Sequence, residues 1–126
     1  MHMSSFVVFR CEKCGNMLLL LKNGGGPLTC CGQPMLKEEA NTTDASVEKH
    51  VPEVVKEDGK IVVTVGSTLH PSLPEHYIEW IALVSDDSVQ IKYLKPGMDP
   101  IAEFPEVDTG TVYEYCNIHG LWKKDF

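Results

Sequence analysis

Four cysteines near the beginning of the 126-residue chain most constrain what it can fold into. Cys11 and Cys14 form a Cys-x-x-Cys pair, and Cys30 and Cys31 are adjacent. The glycines at 24–26 favour a chain reversal between the pairs, because glycine accepts positive φ angles. The cysteines therefore bracket one hairpin of about 20 residues, which cannot bury enough apolar surface to fold by itself. A metal ion held by the four thiolates would supply the missing stability.

The spacing of these cysteines is close to that of a zinc ribbon, except that the second pair is adjacent. A disulfide between Cys30 and Cys31 is the competing interpretation, and it would be strained. The N-terminus lacks the basic start and long apolar region of a secretion signal. A cytoplasmic protein with a four-thiolate metal site is therefore the prediction. Ligand type alone leaves both iron and zinc open for this site.

From residue 50 onward the pattern is that of an all-β domain. Asp58-Gly59 is a strong hairpin signal, and Lys95-Pro96-Gly97 fits a type II turn. Apolar runs predict strands at Val51–Lys56, Lys60–Val65, Tyr77–Val84, Val89–Leu94, Ile101–Val107 and Thr111–Cys116. A set of about seven short strands at regular spacing is typical of an antiparallel sandwich.

The longest predicted strand, Tyr77–Val84, is apolar on both faces. Its even-numbered side chains are the expected core set, namely Ile78, Trp80, Ala82 and Val84. The opposite face, which includes Ile81 and Leu83, is also largely apolar. Such a strand is either central in the sheet or covered by another chain, which suggests a homodimer.

We therefore expect three parts: a metal-stabilised domain at 1–37, a polar linker at 38–47 and a β-sandwich domain at 48–126. The formal net charge of −7 argues against nucleic acid as a partner, because phosphate binding requires basic patches. No apolar segment has the length of a transmembrane helix, so no membrane association is expected. The same negative charge would repel a small anionic substrate unless a local positive patch opposed it.

A second group of candidate ligands lies in the predicted sandwich. Cys116 and His119 form a Cys-x-x-His pair that can close on one metal ion, and three further histidines precede it: His50, His70 and His76. Four imidazoles and one thiolate exceed what a tetrahedral zinc site needs. They suit a redox-active metal with one coordination position left open.

The sequence resembles the desulfoferrodoxin family, the two-iron superoxide reductases, from Cys11 to Lys123. The matching motifs are Cys-Glu-Lys-Cys-Gly-Asn at Cys11–Asn16, Cys-Cys-Gly at Cys30–Gly32, Glu-Lys-His-Val-Pro at Glu48–Pro52, His-Pro-x-x-x-x-His-Tyr-Ile-Glu-Trp-Ile at His70–Ile81, Leu-Lys-Pro-Gly at Leu94–Gly97 and Glu-Tyr-Cys-Asn-Ile-His-Gly-Leu-Trp-Lys at Glu114–Lys123. No candidate ligand position departs from the family pattern.

The resemblance implies a desulforedoxin-like domain with an Fe(Cys)4 centre, followed by an immunoglobulin-like sandwich with a second iron. It makes Cys116 the axial ligand of that iron, and the equatorial ligands are His50, His70, His76 and His119. It implies a homodimer that reduces superoxide to hydrogen peroxide with electrons from a rubredoxin-like donor. Glu48 and Lys49, which precede His50, are the implied catalytic residues. Lys49 would attract the anion, and Glu48 would cap the open position of the oxidised iron.

Other functions remain to be weighed against this one. A blue-copper electron carrier would usually add a methionine ligand just after the cysteine, and none follows Cys116. A binding module with a structural zinc ribbon would leave the histidines without a role. An electron-transfer protein of the same architecture, or a superoxide dismutase, is closer in chemistry. The lowering of the metal's potential by a thiolate argues against the dismutase.

Overall fold

A computed structural model describes residues 6–41, 50–66 and 69–126. The chain divides into two compact units, one within Met3–Glu39 and one within Ala40–Phe126. The first unit contains the four clustered cysteines, and the second contains Cys116 and the four candidate histidine ligands. Residues 42–47 of the expected linker lie outside the described residues. The division into 1–37, 38–47 and 48–126 therefore stays a prediction.

Short strands build the first unit. They are β1 (Val8–Arg10), β2 (Met17–Leu19), β3 (Thr29–Cys30), β4 (Gln33–Pro34) and β5 (Leu36–Lys37). Strands β2, β1 and β5 form one antiparallel sheet in that order, and β3 pairs with β4. The unit buries few apolar side chains, namely Phe6, Val8, Cys11 and Met35. So small a core agrees with a fold that depends on a bound metal.

A two-residue turn explains why two of the cysteines can be adjacent. Cys31 and Gly32 connect β3 to β4 and have φ angles of 54° and 76°, as in a type I′ hairpin turn. Side chains of consecutive strand residues would point to opposite faces. The left-handed backbone at Cys31 breaks that alternation, and its sulfur lies 3.9 Å from that of Cys30. The distance between the two sulfurs is too long for a disulfide bond, so the metal interpretation of the pair is favoured.

The second unit is an antiparallel sandwich. Its strands in the described residues are β6 (Pro52–Glu57), β7 (Lys60–Val65), β8 (Ile78–Val84), β9 (Val89–Tyr93), β10 (Ile101–Pro105), β11 (Thr111–Cys116) and β12 (Gly120–Asp125). One sheet has the order β10-β7-β6 and the other β12-β11-β8-β9. The predicted all-β class and sandwich are confirmed, although β12 was not among the predicted strands.

The two predicted turns of the sandwich are confirmed. Asp58 and Gly59 both have positive φ angles and connect β6 to β7, with Glu57 paired to Lys60. Gly97 has a φ of 92°, and the N–H of Met98 donates to the carbonyl of Lys95 at 3.0 Å. That bond closes the type II turn.

The expected core face of β8 is only partly right: its four residues are all buried, but of these only Ile78 belongs to the main core cluster. The core cluster between the sheets contains Ile78, Ile81 and Leu83, whereas Trp80 lies outside that cluster. The cause is a β-bulge: Tyr115 pairs with Trp80, but Cys116 pairs with Ile78. The extra residue, Glu79, shifts the alternation of β8, so Ile78 shares a face with the odd-numbered residues.

Gly110 occupies a site where a side chain does not fit. A Cβ atom there would lie 2.6 Å from the carbonyl oxygen of Val84, which belongs to the backbone and cannot rotate away. We expect Gly110→Ala to lower the free energy of unfolding of the sandwich by about 1–3 kcal/mol. Chemical denaturation measures this. The control is Gly24→Ala, whose added methyl meets no atom within 4 Å and should change stability little. Equal stability of the two variants would contradict the prediction.

No helix in the described part of the chain is both long and apolar enough to cross a bilayer.

Candidate metal centres

The four cysteines of the first unit converge on one point. All four sulfurs lie within 4.8 Å of one another, and those of Cys14 and Cys30 are 3.6 Å apart. The β1–β2 turn supplies Cys11 and Cys14, and it is closed by bonds from Gly15 N–H to Cys11 O and from Cys11 N–H to Asn16 O. The β3–β4 hairpin supplies the other two sulfurs. Two backbone turns therefore present four soft donors to one position.

The neighbouring sulfurs of this cluster shift the pKa values of one another. Amide N–H groups, chiefly that of Cys14, lower the pKa of Cys11 to about 6. Hydrogen bonds to neighbouring sulfurs, that of Cys14 first, raise the pKa of Cys31 to about 12. Four sulfurs this close cannot all ionise against one another at neutral pH without a positive charge between them. A metal ion provides that charge, and the thiolate is the form that binds it.

The histidines of the second unit form a ring of four imidazoles. Neighbouring ring centroids are separated by 4.8 Å from His50 to His70, 4.7 Å from His70 to His76, 5.1 Å from His76 to His119 and 4.7 Å from His119 to His50. Planes of neighbouring rings cross at 74–86°. The opposite pair, His50 and His76, is 6.4 Å apart with planes only 29° from parallel. The ring is therefore close to a square.

The donor atoms of this ring face a common centre together with one sulfur. Donor atoms of His50, His70, His76 and Cys116 all lie within 4.8 Å of one another. His119 joins through Nδ1, which lies 3.0 Å from His50 Nε2 and 3.8 Å from Cys116 Sγ. A square of nitrogens with one further sulfur is the donor set of a square pyramid, which leaves one position open.

Burial keeps the imidazole of His70 in the neutral form that binds a metal. Burial lowers the pKa of His70 to about 4, so its imidazole is neutral at pH 7. Its Nδ1 contacts the carbonyl oxygen of Pro71 at 2.7 Å, which fixes the proton on that nitrogen. The other nitrogen, Nε2, is buried and has no hydrogen-bond partner among the described residues. A buried polar atom without a partner is costly, and a metal ion would satisfy it.

Cys116 lies at the buried side of the site. Its side chain is fully buried in the sandwich core, whereas His76 and His119 are partly exposed to solvent. Burial raises the pKa of the Cys116 thiol. The N–H of His119 approaches the sulfur at 3.4 Å and opposes that shift. The partly exposed residues of the site are therefore His76 and His119, whereas the sulfur is enclosed by protein.

Both units match a known family. Residues 42–125 match the desulfoferrodoxin family, and residues 5–37 match the desulfoferrodoxin N-terminal domain. The chain belongs to the desulfoferrodoxin family. It is 51% identical to the desulfoferrodoxin of Clostridium acetobutylicum over 118 residues, which cover 94% of each chain. It is also 37% identical to the superoxide reductase of Pyrococcus abyssi over 72% of this chain and 96% of that protein.

A solved structure extends the likeness to three dimensions. The crystal structure of the superoxide reductase from Treponema pallidum aligns with a TM-score of 0.77 and 29% sequence identity. The alignment covers 96% of this chain and 99% of the other. The two donor sets described above fit the two-iron architecture of the desulfoferrodoxins, because thiolate and imidazole are both good ligands for iron.

Three residues that support the site carried no separate prediction from the sequence. The indole N–H of Trp122 donates to the carbonyl of His119 at 3.1 Å, and its ring stacks on His50 at 4.9 Å. Asn117 bonds to the segment around His76. Glu114 is fully buried, and burial raises the pKa of its carboxyl well above the usual value. All three lie in the Glu114–Lys123 motif, which was the signal in the sequence.

Glu48 and Lys49, which the sequence indicates as catalytic residues, lie outside the described residues. Their neighbour His50 is described, and it is buried within the ring.

Proposed function

We propose that this protein is a superoxide reductase, which reduces superoxide to hydrogen peroxide with one electron and two protons. The square of four imidazoles around one buried thiolate supports this assignment most strongly. That donor set leaves an open position for a small ligand, and proteins similar to this chain include named superoxide reductases. An electron carrier would have no use for an open position.

The proposed ligand sets follow the two clusters. The first unit would hold one iron through Cys11, Cys14, Cys30 and Cys31. The second unit would hold the catalytic iron through His50, His70, His76, His119 and Cys116. Ferrous iron at that site would supply the electron and a Lewis-acidic position for superoxide. Neutral imidazoles add no charge, so the thiolate alone leaves the centre with a net charge of about +1. A small anion is attracted to it despite the charge of −7 on the whole chain.

The thiolate and the residues around it tune the centre. Hydrogen bonds to a ligand sulfur reduce its donation of electron density. The N–H of His119 is one such donor. The partly exposed imidazole side gives water and protons access, and both are needed for release of hydrogen peroxide. The buried sulfur side excludes them.

Lys49 is proposed to attract superoxide, and Glu48 to cap the open position of the oxidised site. We expect Lys49→Ala to slow superoxide capture about 10-fold at low salt and to weaken its dependence on ionic strength, because a steering charge is lost. Pulse radiolysis at several salt concentrations measures the rate. Glu48→Ala is the matched control, and it should leave capture intact while changing the absorption of the oxidised site. A large loss of capture rate in Glu48→Ala, or none in Lys49→Ala, would contradict these roles.

Counting products tests the reaction itself. Superoxide is added to the reduced protein without oxygen, and the metal content of the same sample is determined. One hydrogen peroxide per superoxide, no evolved oxygen and stoichiometric oxidation of the iron are the expected result. Half as much peroxide, with oxygen and sustained turnover, would identify a dismutase. No reaction in an iron-loaded sample would favour the electron-transfer alternative.

The electron donor is proposed to be a small rubredoxin-like protein, and the cytoplasm is the proposed location. The five cysteines are unpaired, which suits a reducing compartment where thiolates can hold metals. A one-electron donor is required because the reaction consumes one electron per superoxide. Detoxification of superoxide is the corresponding physiological role.

A homodimer is also proposed. Strand β9 is the edge of its sheet in the described residues, and three of its apolar side chains are exposed. Val89 is 43% exposed, Ile91 38% and Tyr93 79%. Exposed apolar edge strands are prone to pair with another chain. Sedimentation equilibrium should give twice the 14.0 kDa mass of the chain. Tyr93→Lys should shift the protein towards the monomer, and a monomeric wild type would refute the proposal.

A further inference from the structure

We propose that Asn117 is the positioning residue that fixes His76 relative to Cys116. The inference rests on the proposed function, because it treats both residues as ligands of the catalytic iron. Asn117 directly follows Cys116 in the chain, and it is not itself a candidate ligand. Its role would be to connect the turn that carries one pair of ligands to the separate segment that carries His76.

Three hydrogen bonds make that connection. The backbone N–H of Asn117 donates to the carbonyl of Tyr77 at 3.2 Å, and the N–H of Tyr77 donates to Asn117 Oδ1 at 3.0 Å. The side-chain Nδ2 donates to the carbonyl of Glu75 at 3.1 Å. Glu75 and Tyr77 are the residues on either side of His76. The amide of one side chain therefore holds both flanks of a ligand about 40 positions away in sequence.

The segment around His76 depends on such contacts because it is irregular. Between His70 and β8 it forms only an isolated two-residue bridge, from Leu73 to His76. At its other end, the carbonyl and hydroxyl of Ser72 both accept from the N–H of Gly97. The segment is thus anchored to one turn through Ser72 and to the Cys116–His119 turn through Asn117. Only the second anchor lies beside His76.

Asparagine is suited to this role because its side chain is short and offers both a donor and an acceptor. Alanine at this position would keep the backbone bond and lose both side-chain bonds. Partners that orient a metal ligand from outside the coordination sphere typically contribute 10–100-fold to metal affinity. We therefore expect Asn117→Ala to weaken metal binding at the histidine site by about 10–100-fold.

Asn41 provides a matched control. Its backbone N–H donates to the carbonyl of Leu121 at 2.9 Å, its Oδ1 accepts from the N–H of Lys123 at 2.8 Å, and its Nδ2 donates to the carbonyl of Lys123 at 3.3 Å. Asn41→Ala therefore removes an equivalent pair of side-chain bonds. Its partners flank Trp122, which is not itself a proposed ligand. Asn41 also has a φ of 60°, so alanine there adds backbone strain. The control therefore tests whether a loss of stability alone weakens metal binding.

The experiment compares both variants with the wild type as full-length chains. Chelator competition gives the ferrous affinity of the histidine site, and Mössbauer spectra of 57Fe-loaded samples separate it from the four-sulfur site. Histidine-selective 15N NMR of zinc-loaded samples reports which imidazoles bind metal. Thermal unfolding of the metal-free chains measures stability without the metal.

The expected result is weaker metal binding in Asn117→Ala alone, with the His76 signal shifted towards that of an unligated imidazole. Without metal, Asn117→Ala should be at least as stable as Asn41→Ala, because only the Asn41 variant carries the added backbone strain. Equal ferrous affinity in the two variants would overturn the inference. So would a metal-free Asn117→Ala chain that fails to fold while Asn41→Ala folds, because the role would then be structural. If the wild-type histidine site binds neither metal, the proposed function fails instead.

Discussion

Replacement of Cys116 by serine is expected to reduce the rate of superoxide reduction by more than about 100-fold, since loss of an outer partner alone typically costs 10–100-fold. A serine hydroxyl does not ionise at neutral pH, and it is a harder and poorer donor to iron than a thiolate. Cys116 is also fully buried in the core, so the unpaired hydroxyl should lower stability by about 1–3 kcal/mol. Rapid mixing of superoxide with the iron-loaded variant measures the rate.

The stability cost must be separated from the loss of the ligand. Val112→Thr places a similar hydroxyl on the same strand and in the same buried cluster, away from all proposed ligands. We expect this control to lose comparable stability and to keep the wild-type rate. A Cys116→Ser variant with a near-normal rate would remove the thiolate from the mechanism. Equal loss of activity in both variants would mean that core packing, and not the sulfur, was responsible.

Replacement of Cys14 by serine is expected to unfold the first unit. Structural metal sites of this kind contribute about 10 kcal/mol or more to folding, and the strands of this unit are only two or three residues long. Three thiolates and a hydroxyl would bind the metal far more weakly than four thiolates. In 1H–15N NMR spectra, we expect signals of residues 6–39 to collapse towards random-coil positions. Signals of the sandwich, which has its own core, should remain dispersed.

Lys13→Ser is the matched control, because it changes the exposed residue next to Cys14 and removes no sulfur. This variant should keep the metal and the dispersed spectrum. Limited proteolysis gives an independent reading, since an unfolded unit is cleaved rapidly. A Cys14→Ser chain that resists cleavage between residues 6 and 39 would show that the apolar contacts of this unit are sufficient without the metal.

Local chemistry explains which parts of the fold the sequence could predict. The Asp58-Gly59 and Lys95-Pro96-Gly97 turns are determined by φ angles that few residues adopt, so short sequences specify them. The core face of β8 was not predictable in this way. The bulge at Glu79 arises from pairing with β11, and neighbouring apolar residues on both faces leave the alternation ambiguous.

The metal sites also combine features that local sequence predicts with features that depend on the complete fold. Ligand types and the Cys-x-x-His spacing identified the donors, because metals select side chains by their chemistry. The square arrangement of the imidazoles could not be predicted from the sequence, because the four histidines come from segments that only the folded sandwich brings together. The supporting roles of Asn117 and Trp122 depend on partners far away in sequence or on ring geometry. The spacing of residues along the chain therefore does not predict these contacts.

The two clusters also differ in how far apart their donors lie along the chain. In the first cluster, Cys14 and Cys30 are separated by 16 positions, whereas His50 and His119 of the second are separated by 69. Closing a long loop costs more entropy and slows folding. During synthesis, the four cysteines can meet soon after the second pair leaves the ribosome. The histidine ring must wait for nearly the whole sandwich. A growing chain would thus be able to bind the metal of the four-cysteine site early and that of the histidine site last, after the surrounding sandwich has folded.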